Sequence, residues 1–427
     1  MAGPHPGDLA SAASNVPTGD DPWGARLSPP TRVWQTGLPR NLGWLWAAGP
    51  CAGLLLLALA LTGLALAAHY VPSEAGALAS LESIDRHVGS GWLLRSIHAA
   101  GTSLLFVCLY VQLFTALYYG SFKAPRVAAW MSFLVLLLLC LAIASIGAML
   151  PWNQPGYWSL IGLTDALGAL PGFGRSLAMW LLGGPQAGPD TVTRLAALHA
   201  AAGAGVLAVL ALHVASLRRT GPNNPLGLEV RGPRDLLPLH PFYTLRFGLV
   251  ACLACLVLAI VVFFFPASLF GPASWQPASP LAPPAGLLPP WYAAPFHAVL
   301  RSVPSRGAGA SLALAMGVVL FLAPWLDTSP VRSARFRPLY RIGMALLVVS
   351  ALVLLVAGLN PGSGVWRLLA RIAVLYWFAH FLLLLPWLGR AEKARPLPSG
   401  ISRAVLPPRP EPSRAPGFGS DVGSPAE

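Results

Sequence analysis

Two histidines, His199 and His213, lie fourteen residues apart on one apolar segment. An earlier apolar segment repeats the spacing with one member changed, as His98 and Gln112. Fourteen residues of helix rise ~21 Å and return almost to the same face, at ~1.5 Å and ~100° per residue. Two such helices facing each other can clamp flat ligands at two depths of a membrane. Four histidines in that arrangement would hold two haems, each by one imidazole from either helix. This chain offers three histidines and a glutamine. One level is therefore complete and the other is altered.

The elements that must position these residues follow from composition. The chain has 427 residues, 55% of them hydrophobic and 10% charged, with a mean hydropathy of +0.63. Soluble domains carry ~25% charged residues, so the class is integral membrane protein. Apolar runs fall near 45–68, 97–117, 130–150, 195–217, 247–266, 308–326, 342–358 and 366–387. Each is long enough to cross a hydrocarbon core of ~30 Å. The predicted fold is all-α with eight transmembrane helices. The stretch 156–182 is amphipathic and rich in Gly, Pro and aromatics, and is expected to form helices at the membrane surface.

Charge orients the bundle. With the N-terminus inside, the inner segments hold Arg26, Arg32 and Arg40, then Lys123 and Arg126, then Arg218, Arg219, Arg231 and Arg234, then Arg332, Arg335, Arg337 and Arg341, and finally the basic tail from Arg390. The opposite loops carry fewer basic residues and include Glu74, Glu82, Asp85, Asp165 and Asp190. This is the positive-inside pattern for both termini in the cytoplasm. The net charge of +13 is thereby a topology signal; no basic–aromatic soluble domain supports nucleic-acid binding.

The five cysteines, Cys51, Cys108, Cys140, Cys252 and Cys255, all lie in apolar spans, so no disulfide framework is expected. Cys252 and Cys255 form a C-x-x-C without a following His, which excludes covalent haem attachment. Residues 1–40 and 391–427 are rich in Pro, Gly, Ser and Arg and are expected to be disordered cytoplasmic segments. The N-terminus opens on polar residues and reads as lacking a cleavable signal.

Motifs spread along the membrane part resemble the cytochrome b subunit of quinol–cytochrome c reductase. They include Gly91-Trp92-Leu93-Leu94-Arg95-Ser96-Ile97-His98-Ala99-Ala100-Gly101, Leu150-Pro151-Trp152-Asn153-Gln154, Asn223-Asn224-Pro225-Leu226-Gly227, the Pro295–Pro304 segment, and Asp327-Thr328-Ser329-Pro330 followed by Arg335-Phe336-Arg337-Pro338-Leu339. The resemblance implies a four-helix haem-binding bundle over 41–235 and a four-helix C-terminal membrane domain over 236–390. It implies a bacterial inner-membrane location.

Carried over residue by residue, the resemblance makes His98 and His199 axial ligands of the outer haem, with Arg95 and Arg194 near its propionates. Such charged groups at membrane depth want partners. The alternative is that intramembrane histidines merely hydrogen-bond between helices. The family keeps two glycines fourteen apart on each of the first and third helices, where haem passes close. Here Gly49 and Gly63 fill the first pair, while Gly147 is matched by Phe133 instead of glycine.

The departures agree with one another. Gln112 stands where the inner-haem histidine belongs, and a neutral amide is a poor iron ligand. Phe133 puts a ring where a porphyrin needs clearance. Arg218 replaces a histidine of the inner quinone site, and Phe247, seven residues after His240, replaces its aspartate, removing a proton donor. His213 is then a leftover, bonded to Gln112 or still a ligand. At the outer quinol site the family's Pro-Glu-Trp-Tyr reads Pro289-Pro290-Trp291-Tyr292. Proline brings neither a carboxylate nor a backbone N–H. His297 is a candidate substitute base, the alternative being a packing histidine.

The leading reading is a diverged membrane b-type cytochrome with one haem b and no complete Q-cycle. Its expected partners are an iron–sulfur protein, a cytochrome c-type subunit, the lipid bilayer, a quinol and a second copy of the chain. A non-catalytic structural subunit retaining the fold, and an orthodox two-haem cytochrome b, are the competing readings. The haem count separates all three.

Overall fold

The computed structural model describes residues 36–284, 286–360 and 364–406. The parts of the two expected disordered termini that span 1–35 and 407–427 lie outside the described residues. Among the described residues, eight helices are long and apolar enough to cross a membrane: Trp44–Ala67, Gly91–Tyr119, Val127–Met149, Pro189–Thr220, Leu239–Phe264, Arg306–Leu326, Pro338–Leu359 and Gly364–Ala391. The eight predicted spans coincide with these, and the second and fourth begin about two turns earlier, with Gly91 and Pro189. Their first turns are too polar for a hydropathy window yet belong to the same helices.

Strand β1 (Gly37–Pro39) precedes α1 (Ala48–Ala67), and the surface helix α2 (Gly76–His87) leads into α3 (Gly91–Tyr119) and α4 (Val127–Met149). Two further surface helices, α5 (Gln154–Gly168) and α6 (Gly174–Leu182), occupy the predicted amphipathic stretch before α7 (Pro189–Thr220). Asn153 starts α5 by accepting from Gly156 N, with Pro155 in the first turn, a standard start signal. The second half runs β2 (Leu236–Pro238), α8 (Thr244–Phe264), α9 (Ala294–Ser302), α10 (Arg306–Leu326), α11 (Pro338–Leu359) and α12 (Gly364–Ala379). A π-turn, His380–Leu384, then joins α12 to α13 (Leu385–Ala391).

Within the first bundle the helices pack mainly as two pairs, α1 with α3 and α4 with α7. Small residues permit the close approach, as is usual where packing and not water drives association in lipid. A methyl group at Gly203 or Gly205 of α7 would touch Ile143 or Leu139 of α4, and one at Gly101 of α3 would touch Leu59 of α1. Between the pairs contact is sparse, and most of α7 is unburied.

The loops rich in arginine meet at one end. Arg126 donates to the Gly221 carbonyl and to Glu229, Arg332 donates to Glu229 and to the Ala124 carbonyl, and Arg40 donates to the Arg234 carbonyl. Gly120, with φ +67°, closes α3 so tightly against the Arg332 carbonyl that no Cβ fits there. Deeper in, Asp327 is fully buried between Arg337 at 2.7 Å and Lys123 at 2.8 Å. Buried charges persist only when paired in this way.

Order extends further into both termini than composition implied. Residues 37–39 pair antiparallel with 236–238, joining the expected N-terminal tail to the first residues of the expected second domain. Of the tail expected to be disordered from 391, residues 392–406 lie against the basic end. Glu392 accepts from Arg337 and from the backbone N–H groups of Leu339 and Tyr340 at the start of α11. A carboxylate at a helix N-terminus is favourable, and this one is also desolvated. Ser402 N donates to Asp235, and Ile401 is fully buried. Composition reports none of these long-range bonds, so these residues looked unstructured.

Candidate functional site

His98 lies two turns into α3 and His199 on α7, and their ring centroids are 6.4 Å apart with planes inclined 62°. The hydrogen bonds behind each ring fix its tautomer. The Nδ1 of His199 is 3.0 Å from the Ile143 carbonyl, which can only accept, so Nδ1 carries the proton. The Nδ1 of His98 is 2.9 Å from the Thr62 hydroxyl. That hydroxyl gives its single proton to the Ala58 carbonyl at 2.8 Å and must accept from the imidazole. Each ring therefore has an unprotonated Nε2.

Two bare imidazole nitrogens cannot hydrogen-bond each other; each ring instead hydrogen-bonds to another helix, His98 to Thr62 of α1 and His199 to Ile143 of α4. They can bind one metal ion between them. Two imidazole–metal bonds of ~2 Å each, set in the 6.4 Å span, leave about 2.4 Å for the two distances from ring nitrogen to ring centre. Backing of a ligand histidine by a carbonyl or hydroxyl is the usual outer support of such sites. Thr62 and the Ile143 carbonyl were missed in the sequence; the available signal was Thr62 standing immediately before Gly63.

Gly63 and Gly147 form the sides of the cradle. A Cβ on Gly63 would come to 3.1 Å from His98 Cε1, and one on Gly147 to 2.8 Å from His199 Cε1. In this structure the clearance they provide is thus for the imidazoles themselves. Residues, tautomers and cradle all fit a haem at this level.

The two arginines have other partners. Arg95 is ion-paired with Asp85, and its guanidinium lies 4.1 Å from the Phe270 ring centre and 4.9 Å from that of Trp275. Burial raises the Asp85 carboxyl above its usual range, with Arg95 and Arg86 opposing. Arg194 donates to the Trp180 carbonyl. Neither partner was legible, because α2, α6 and the 270–275 segment reach these arginines only through the fold.

At the deeper level Gln112 Oε1 lies 3.5 Å from where a Cβ on Gly49 would stand. His213 Nδ1 faces the Ala129 carbonyl at 3.1 Å and the Ser132 hydroxyl at 3.0 Å. Among the described residues no hydrogen bond joins Gln112 to His213, so the partnership entertained from sequence does not form. Phe133 is 4% exposed, with its ring 6.1 Å from that of His213. At this level an amide stands in place of the second imidazole and a buried phenyl ring in place of the glycine. Nearer the basic end, Phe247 packs on Tyr243 at 5.8 Å, and Tyr243 is sealed by a bond to the Pro39 carbonyl.

On the other side of the bundle Pro290 begins the turn into α9, its carbonyl accepting from Ala293 and Ala294. Tyr292 is buried, stacked on Phe106 with centroids 4.1 Å apart, and its carbonyl accepts from the Tyr110 hydroxyl. Trp291 meets Tyr110 edge-on. His297 Nδ1 is 3.2 Å from the Gly358 carbonyl, and the ring borders a cavity of about 20 Å³ with Arg301, Asn360 and Arg367. Burial lowers the His297 pKa, and Arg301 lowers it further, while the Gly358 carbonyl opposes both.

The fold and the paired bare imidazoles define a class: a multi-pass membrane protein whose helical bundle brings two histidines together with room for one metal ion between them. Comparison with known proteins narrows it. The family model for cytochrome b/b6/petB matches residues 33–221, and that for cytochrome b (C-terminal)/b6/petD matches residues 277–378. Cytochrome b of Rickettsia bellii is 40% identical over 363 residues, covering 85% of this chain and 91% of the relative. Cytochrome b of Rhodobacter capsulatus is 37% identical over 413 residues, covering 91% and 92%. A solved chain from a hyperthermophilic respiratory complex III superposes with a TM-score of 0.80 at 30% identity, covering 84% of this chain and 94% of the other. The chain belongs to the cytochrome b family, whose members bind haem b and carry electrons in membranes.

Proposed function

We propose that this chain is the membrane cytochrome b of a quinol–cytochrome c reductase-like complex, carrying one haem b held by His98 and His199. The observation that carries the proposal is the approach of the His98 and His199 rings to 6.4 Å between centroids, each with its Nδ1 engaged behind it and its Nε2 unprotonated. His98 and His199 would hold the haem from both sides, and it would supply single-electron transfer without an open position for oxygen. Thr62 and the Ile143 carbonyl hold the two rings in their ligand tautomers, and Gly63 and Gly147 leave the rings room. Arg95, neutralised by Asp85, keeps the charge at this level balanced.

With Gln112, Phe133, Arg218 and Phe247 at the deeper level, electrons do not pass through two haems in series, and the complete Q-cycle is lost. Tyr292, Trp291 and Phe106 form an aromatic wall for a quinol, and His297 is its candidate base in place of the carboxylate missing at Pro290. By likeness to the complex III chain, the partners are an iron–sulfur protein and a cytochrome c-type subunit, in a homodimeric assembly of the bacterial inner membrane. The basic end and both termini face the cytoplasm.

Pyridine haemochrome analysis per mole of purified chain tests the proposal. One haem b per chain is expected, and His98→Ala or His199→Ala should abolish the low-spin absorbance. Two haems would restore the orthodox reading, and none would support a structural subunit.

A further inference from the structure

The proposed function uses Asp85 only as a counter-charge for Arg95, yet half of its carboxylate is left over. Asp85 lies near the end of α2, and the turn over 88–90 brings it back against α3. Gly91 closes that turn on the Ile84 carbonyl, where a Cβ would come to 2.0 Å, so the approach of α2 to α3 is fixed. Arg95 of α3 pairs with Asp85 Oδ2. It stands three residues before His98, a rise of ~4.5 Å on neighbouring positions of one helix face. The ion pair is therefore the charged neighbour of the outer histidine level.

Among the described residues Asp85 Oδ1 is buried without a hydrogen-bond partner. A carboxylate oxygen kept from water with no donor is costly while it is charged. The charges acting on it are Arg95 from α3 and Arg86 from α2 itself. The 270–275 segment adds only the rings of Phe270 and Trp275, which lie against Arg95. Burial outweighs both arginines and raises the carboxyl above its usual range. The α2 helix lies outside the spans and the Asp85 side chain keeps 17% exposure, an edge through which aqueous protons reach it.

An electron arriving beside His98 adds negative charge next to this pair. Negative charge nearby favours the neutral form of a carboxyl. Arg95 cannot respond, because a guanidinium does not deprotonate in proteins and this one is held between Asp85 and two rings. Asp85 can. With a proton on Oδ1 it is neutral, and the Arg95 charge that it had cancelled is left to face the electron. One electron and one proton are gained together, and the net charge of the level does not change.

We propose that Asp85 is a redox-linked proton acceptor: a proton from the aqueous phase binds Asp85 Oδ1 as one electron is taken up between His98 and His199, and leaves when that electron is passed on. The O–H bond formed on reduction is the one broken on oxidation. The electron comes from a quinol or another one-electron reductant and goes to the redox partner. This rests on the reading that His98 and His199 hold a haem. Because the reduced protein binds more protons, the midpoint potential falls as pH rises.

The test titrates the purified full chain potentiometrically on its low-spin haem band from about pH 5 to 8, with reduced-minus-oxidised infrared spectra at the same pH values. In wild type the potential should fall with pH, toward a limit of about tenfold in the reduced-to-oxidised ratio, or ~59 mV, per pH unit. A protonated-carboxyl band should appear on reduction. Asp85→Asn should lose the slope and the band and hold a potential no lower than the wild-type value at acid pH, and Asp85→Glu should restore the slope with the band moved. A wild-type slope in Asp85→Asn overturns the proposal. Should Asp85→Asn bind no haem, the infrared band decides: one that fails to move in Asp85→Glu also overturns it. A normal haem band with a flat potential in wild type refutes this proposal alone, whereas a wild type without the haem band refutes the proposed function and this proposal with it.

Discussion

A single methyl group added at Gly147 should disturb haem binding more than the same group at Gly63, and one at Gly49 should not disturb it at all. The ranking comes from distances. Ordinary contact for a Cβ begins at 3.4 Å; Gly147→Ala would sit 0.6 Å inside that limit against His199 Cε1, Gly63→Ala 0.3 Å inside it against His98 Cε1, and Gly49→Ala outside it against Gln112. Overpacking of this kind costs about 1–3 kcal/mol, or about 5- to 140-fold in affinity at 1.4 kcal/mol per decade. At Gly147 the imidazole must move and strain its bond to the Ile143 carbonyl, so the upper half of the range is expected. At Gly63 a shift of a few tenths of an ångström suffices, and less than about tenfold is expected. Alanine is the better helix former by about 1 kcal/mol, so the apoprotein should not lose helix stability in any of the three variants. Haem titration of apoprotein, followed by the low-spin b-type band, gives the affinities. Equal effects at the three positions, or the largest at Gly49, would refute the assignment of the haem to the His98–His199 level.

Thr62→Val removes the acceptor that fixes the His98 tautomer; haem affinity should fall by about fivefold, a net hydrogen bond of ~1 kcal/mol, and the midpoint potential should shift, while Thr62→Ser restores both. A redox titration unchanged in Thr62→Val would contradict this role. Asp327→Ala strands Lys123 and Arg337 in the interior and should cost about 3–5 kcal/mol, seen as a large drop in the thermal midpoint by circular dichroism. A drop of only a degree or two would show that water already reaches the cluster. For Glu229, burial alone would raise the carboxyl pKa, but Arg126 and Arg332 together hold it below the usual range. The stability it contributes is thus present above the unfolded carboxylate value of ~4.3 and is lost as pH falls from there through the lower folded value. Glu229→Gln should flatten that part of the acid melting profile, and an unchanged profile would remove Glu229 from the account.

Much of this architecture was legible in the chain itself because the signals are local and repeated. Run length and hydropathy decide that a segment crosses a membrane, so the eight spans could be read residue by residue. Periodicity decides which residues share a helix face, and the spacing of fourteen placed His98 with Gln112 and His199 with His213 before any helix was packed. The identities of Gln112 and Phe133 likewise carry their chemistry with them: an amide is a weak ligand and a phenyl ring is bulky wherever they stand.

The tertiary structure alone decided which atoms meet. That His98 and His199 present bare Nε2 atoms follows from Thr62 on α1 and Ile143 on α4, partners far away in sequence that only packing brings within 3.0 Å. The resemblance places Arg95 near a haem propionate; the fold closes Asp85, Phe270 and Trp275 around it, partners that no local signal reports. Residues 392–406 have the composition of a loose tail, yet Glu392 is drawn into the Arg337–Asp327 cluster at the start of α11. In each case the deciding term is the desolvation of a polar group, whose size depends on what surrounds it in space and not on its neighbours along the chain.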